Sequence, residues 1–217
     1  MFNKTKTKNA FTLAEVLITL VIIGVVAALT IPTAINKYKE EELKSQFKKA
    51  YSTILQAMYK TEMNDFFGYA KCYYGVDGAG SATSGCRDFF DAFAKNLQLQ
   101  KVCKGNAKSG GCVPSYSHYA NPDGCYGFTV TCIENQGNSY VLNNGQILIL
   151  YGDGSMPLFL YDINGHKGPN RMGTDLFSFK IERNKNTGLF TNSGICEYLN
   201  ENGGKSTKDM IKYVLSK

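Results

Sequence analysis

Between residues 11 and 31 the chain reads FTLAEVLITLVIIGVVAALTI, a run carrying one charge, Glu15, and followed at once by Pro32. About 20 apolar residues rising ~1.5 Å each as helix cross the ~30 Å hydrocarbon core of a bilayer. The run is therefore a candidate transmembrane helix. Ahead of it stand ten polar residues, MFNKTKTKNA, with Lys4, Lys6 and Lys8. The positive-inside tendency keeps that basic end in the cytoplasm and puts the remainder outside. A secretory signal has a shorter apolar stretch with its small-residue cleavage site behind it. Here the small residue, Ala10, comes first. A conventional cleavage after Ala34 fits poorly, because helical periodicity runs straight past it.

Glu15 is the unusual residue of this segment. An acidic side chain at mid-helix depth costs about 2.5–3.5 kcal/mol on insertion scales and is a functional candidate by default. The apolar run holds no cation to neutralise it. Its expected partner is another chain, or an α-amine newly made near the start of the helix.

The string Ala10-Phe11-Thr12-Leu13-Ala14-Glu15, with its basic leader and the Pro32 behind it, resembles the N-terminus of the type IV pilins and type II secretion pseudopilins. The match covers residues 4 to about 35, with Ala10 standing where the family usually has Gly. The resemblance implies cleavage between Ala10 and Phe11 by a prepilin peptidase, then N-methylation of Phe11. It also implies polymerisation with other pilin or pseudopilin subunits on an inner-membrane assembly platform. Glu15 and Phe11 become the assembly residues: the carboxylate of one subunit neutralises the new amine of its neighbour. Stranding one member of a buried ion pair costs about 3–5 kcal/mol, so Glu15 sets register and recruitment more than it adds net stability. Gly24 and Pro32 are candidate flex points, since Pro removes a backbone donor and kinks a helix. The competing reading of Pro32 is that it ends the membrane helix.

Beyond Lys37 the pattern becomes amphipathic. Leu43, Phe47, Ala50, Ile54 and Ala57 recur at helical spacing, widened by Tyr51 and Met58, while Lys48, Lys49, Gln56 and Lys60 take the other side. This predicts one helix from about residue 11 to 63 whose second half faces a core. Residues 66–125 are rich in Gly, Ser, Tyr and Cys, with a helix-like stretch from Arg87 to about Leu99. Strand-like runs follow at 128–133, at 140–142 and 147–151 around Asn144-Gly145, and at 157–163, 177–181 and 189–191. Thr207 to Leu215 reads as a short amphipathic helix. The expected fold is α+β: a long N-terminal helix on an antiparallel sheet, which the family resemblance also implies. The expected divisions are a leader over 1–10, a transmembrane and assembly helix over 11–32, its amphipathic continuation over 33–65, and an extracytoplasmic head over 66–217.

Seven cysteines, Cys72, Cys86, Cys103, Cys112, Cys125, Cys132 and Cys196, lie beyond the membrane segment and form no CxxC pair. Neither they nor His118 and His166 show zinc spacing. Disulfides in an oxidising compartment are the expectation, with one thiol left over or paired between chains. Sequence does not assign the pairing; the short-range options are Cys103–Cys112, Cys125–Cys132 and Cys72–Cys86. The segment Asp162-Ile-Asn164-Gly165-His-Lys-Gly-Pro-Asn-Arg-Met-Gly173-Thr-Asp175 resembles a loop recurrent in pseudopilin-like proteins. Asp162, Asn164 and Asp175 are its candidate oxygen ligands for Ca²⁺, which takes six to eight oxygens. The alternative is a structured turn, for which Gly, Asn and Asp suffice.

The net charge of +6 falls to about +3 without the three leader lysines (6 − 3), and what remains is spread along the chain. No basic stripe suited to nucleic acid is evident. GxSxG, HExxH, phosphate-loop and GxGxxG signatures are missing. The sequence thus points to a structural filament subunit of the inner membrane, not an enzyme. The alternative is a membrane-anchored ligand-binding or enzymatic domain that uses its N-terminus only as a tether.

Overall fold

The computed structural model describes residues 11–64, 84–117, 133–134, 138–150, 158–183, 190–193 and 204–216. The chain divides into two compact units, Met1–Glu42 and Leu43–Lys217. The boundary falls inside the first helix, where its side chains begin to be buried.

That helix, α1, runs unbroken from Leu13 to Asn64 with Pro32 inside it. Pro32 therefore does not end the helix. Its missing N–H leaves the carbonyl of Ala28 without an intrahelical donor, and the helix continues regardless. Two residues before Pro32, Thr30 Oγ1 donates to the Val26 carbonyl at 2.8 Å.

In the second unit α2 (Ser84–Lys95) precedes a six-stranded antiparallel meander: β1 (Leu99–Lys104), β2 (Asn138–Leu142), β3 (Ile147–Leu150), β4 (Leu158–Asp162), β5 (Leu176–Arg183) and β6 (Phe190–Ser193). Strand order follows chain order, so each strand pairs with its sequence neighbour. A last helix, α3, spans Thr207–Leu215 as the sequence predicts. The helix expected from Arg87 to about Leu99 stops at Lys95, and Leu99–Lys104 is instead an edge strand with a bulge between Leu99 and Lys101. Its exposed residues carry no apolar alternation for sequence reasoning to find.

Side chains alternate across a strand, and here both faces of the central strands are buried. Tyr140, Leu148, Phe159, Tyr161, Phe177 and Phe179 join one core with Phe47, Ala50, Ile54 and Met58 of α1 and Phe89 and Phe93 of α2. Val141, Ile147, Ile149, Leu160 and Leu176 face a second core closed by Cys103, Ala107, Cys112, Tyr116, Ile133 and Met172. This explains why Ile147–Leu150 and Leu158–Tyr161 read as continuous apolar runs: helices cover one face of the sheet and loops the other. Phe47 sits at the centre of the helix side, its ring 4.9 Å edge-on to Phe177 and 5.8 Å from a stacked Phe179.

Buried Gln146 fixes the register of helix and sheet. Its Nε2 donates to the carbonyls of Ile163 (3.0 Å) and Gln46 (3.4 Å), while its Oε1 accepts from Tyr161 Oη (3.0 Å) and Asn144 Nδ2 (2.8 Å). On the loop face Cys103 and Cys112 form a disulfide, one of the three pairings left open by sequence. The Lys108–Glu134 ion pair, at 2.7 Å, ties the disulfide loop to Ile133–Glu134. The basic leader with Ala10, His118, most of the strand expected at 128–133, Cys72, Cys125, Cys132, Cys196 and the side chain of Cys86 lie outside the described residues.

Candidate functional site

The first turn of α1 begins with a reciprocal cap. Thr12 precedes the helix, and its backbone N–H and Oγ1 donate to Glu15 Oε2 at 2.9 and 2.8 Å. Glu15 N–H donates back to Thr12 Oγ1 at 3.2 Å. This is a capping box, the Thr-x-x-Glu arrangement that satisfies orphan donors at a helix start. The carboxylate also lies at the positive end of the helix dipole, where anions are favoured. The expectation that Glu15 depends on a cation from elsewhere is therefore incomplete. Within the single chain Thr12 provides neutral donors. The Thr-x-x-Glu spacing of Thr12 and Glu15 is the sequence signal for this cap, and it lies inside the processing string.

Phe11 is 86% exposed. The helix behind it is bare on every side: Leu20, Val21, Ile22 and Ile23 occupy four successive directions and are each 57–64% exposed. An amphipathic surface helix shows an apolar stripe, whereas one apolar all round belongs inside a membrane or a larger assembly. Among the described residues this is the one helix long and apolar enough to cross a bilayer. Gly24 lies within it, and among the described residues a Cβ built there meets nothing within 4 Å.

The Asp162–Asp175 loop is built around its two carboxylates. Asp162 Oδ1 accepts from the N–H groups of Asn164 (3.1 Å) and Gly165 (2.7 Å), and Oδ2 accepts from Tyr116 Oη (3.0 Å). Asp175 accepts from the N–H groups of Asn170 and Arg171, both at 2.6 Å. Asn164 Nδ2 donates to the Gly168 carbonyl at 2.9 Å. Gly165, at φ +64°, packs so closely on the Gly145 carbonyl of the β2–β3 turn that a Cβ would collide with it. Burial, and then the neighbouring Asp175 carboxylate, push the Asp162 carboxyl up to about 8. The three candidate calcium ligands do share one loop, but both carboxylates are engaged by its backbone. Among the described residues no group of three or more His, Cys, Asp or Glu side chains is placed to hold a metal. The backbone hydrogen bonds are those of a structured turn, while Asn164 Oδ1, one of the three candidate ligand oxygens, is buried without a hydrogen-bond partner among the described residues.

Residues 5–31 match the family described as the prokaryotic N-terminal methylation motif. No curated protein matches the chain, and no solved structure does. The capped helix start at Thr12–Glu15, the apolar surface behind it and the matched residues coincide in one segment. The chain thus carries, over residues 5–31, the signature of the type IV pilins and pseudopilins, joined to a pilin-like α+β fold of one long helix and an antiparallel sheet.

Proposed function

We propose that the chain is a structural subunit of a type IV pilus-like filament or type II secretion pseudopilus. It is anchored in the bacterial inner membrane with its N-terminus cytoplasmic and its head outside. The observation that carries this reading is the all-round apolar exposure of α1 over the segment that bears the methylation motif. A simple tether needs the apolar length but neither Glu15 nor a processing site.

On this reading a prepilin peptidase hydrolyses the Ala10–Phe11 bond, freeing a cationic amine on Phe11 that is then N-methylated. While the subunit waits in the membrane, Thr12 satisfies the Glu15 carboxylate and so lowers the cost of holding a charge at that depth. On assembly Glu15 meets the Phe11 amine of a neighbouring subunit, and the apolar surfaces of adjacent helices pack together. The chain is a building block and catalyses no reaction of its own.

Intact mass and N-terminal sequencing of the protein from native membranes test this. A chain beginning at N-methylated Phe11 is expected. A chain still beginning at Met1 in cells that contain the peptidase, or one beginning after Ala34, overturns the assembly mechanism.

A further inference from the structure

The outward face of α1 within the second unit is not featureless. Lys49, Thr53, Gln56 and Lys60 recur at spacings of 4, 3 and 4, which places them on one stripe of the helix. They form one wall of a cleft of about 270 Å³. The opposite wall is Asn96 and Gln98 behind α2 and Asn143 and Asn144 at the β2–β3 turn, and the floor is Ala57, Leu97 and Leu142.

We infer that this cleft binds a short stretch of acidic polysaccharide lying along α1. Among the described residues no acidic side chain lines it and neither Lys49 nor Lys60 makes an ion pair. A site with one sign of charge attracts the opposite sign. The two lysines are eleven residues apart, roughly 16 Å along the helix at 1.5 Å per residue. That separation is too long for one small anion held between them and suits successive charges on an extended chain.

The side-chain amides of Gln98 and Asn143 on the opposite wall both donate and accept hydrogen bonds, and the amide oxygens of Asn96 and Gln56 accept, the capacity that sugar hydroxyls require. The apolar floor suits the C–H face of a sugar ring. The walls are held in place before any ligand arrives: Asn143 N–H donates to the Gln98 carbonyl at 2.9 Å. Asn144 is bound to Gln146 through its Nδ2 (2.8 Å) and Oδ1 (3.0 Å). Asn96 Nδ2 is bound to Thr61 Oγ1 (3.0 Å) and the Ala92 carbonyl (3.1 Å). A preformed site loses less entropy on binding. Single-stranded nucleic acid presents similar charges, but its binders stack bases on aromatic rings, and among the described residues no aromatic side chain lines the cleft.

The test uses the full-length protein in detergent micelles, titrated by calorimetry with tetragalacturonate, the neutral cellotetraose and an oligothymidylate of matching length. Saturable binding of tetragalacturonate is expected, weakened on the order of tenfold in the Lys49→Gln/Lys60→Gln double variant and by raising NaCl from about 50 to about 500 mM. Gln98→Ala is expected to weaken binding without changing the salt dependence. Both lysines are exposed, so an unchanged melting temperature verifies that the double variant is folded. Absence of saturable binding, equal binding by the double variant, or cellotetraose binding as tightly as the uronate each overturns the proposal. Tighter binding of the oligothymidylate assigns the cleft to nucleic acid and overturns it as well.

Discussion

Replacing Phe47 by Ala separates the two roles of α1. The Phe47 side chain is fully buried and touches the rings of Phe177 and Phe179 at 4.9 and 5.8 Å. Truncating a buried Phe to Ala costs about 3–5 kcal/mol, and each aromatic pair adds roughly 0.5–1.5 kcal/mol beyond area burial. A loss of about 5 kcal/mol is therefore expected, a large part of the ~5–15 kcal/mol that holds a domain together. At a urea slope of about 2 kcal/mol per molar, the midpoint falls by roughly 2.5 M. The chain has no tryptophan but 14 tyrosines, so near-ultraviolet circular dichroism of the full-length protein in detergent reports tertiary packing of the head. Leu17→Ala is the control, since Leu17 is 54% exposed on the same helix. It is expected to leave the urea midpoint unchanged within about 0.5 kcal/mol and to reduce recovery of filaments. A loss below about 1 kcal/mol at Phe47, or an equal loss at Leu17, refutes the division of α1 into a core-facing half and an unpartnered half.

Glu15→Leu is expected to insert and be processed normally, yet to lower filament yield at least on the order of tenfold, because the Phe11 amine of a neighbour is left stranded; surface shearing and crosslinking measure it. The raised Asp162 value makes head stability pH-dependent. Between its ordinary value of 3.8 and about 8 the folded chain holds a proton that the unfolded chain has released. This contribution is complete below pH ~4 and falls by about 1.4 kcal/mol per pH unit until it is gone above ~8. Asp162→Asn should flatten that slope in urea titrations repeated across the range. Replacing Cys103 and Cys112 by Ala removes a short loop closure and should cost roughly 2–3 kcal/mol, read as a lower melting temperature under otherwise identical conditions. Calcium should leave the melting temperature unchanged, because the Asp162 and Asp175 oxygens already hold loop N–H groups; a saturable upward shift would instead establish the Asp162, Asn164 and Asp175 site.

The sequence carried most of what repeats. The stripe through Phe47, Ala50, Ile54 and Ala57, the Asn144-Gly145 turn and the Thr207–Leu215 helix are all found where periodicity or turn chemistry puts them. β1 was missed because an exposed edge strand owes its conformation to pairing with β2, not to its own pattern. That pairing depends on residues almost forty positions on. The loop-side core was missed for a similar reason: Ile149 and Leu160 face it while their strand neighbours face the helices, and alternation between two apolar faces looks like no alternation. At the N-terminus the motif was legible but its local physics was not. A lone carboxylate in an apolar run implies a cation, whereas Glu15 is met by a hydroxyl and a peptide N–H three residues back.

The bare first half of α1 has a thermodynamic consequence for anything built from this chain. Lipid tails are as apolar as leucine side chains. Moving the helix from bilayer to polymer therefore exchanges one oily surrounding for another, with little net hydrophobic gain. On the proposed function, assembly would then sit close to balance, tipped by how Glu15 is matched. On the same reading, a fibre of such subunits would return to the membrane at lower cost than one condensed from water.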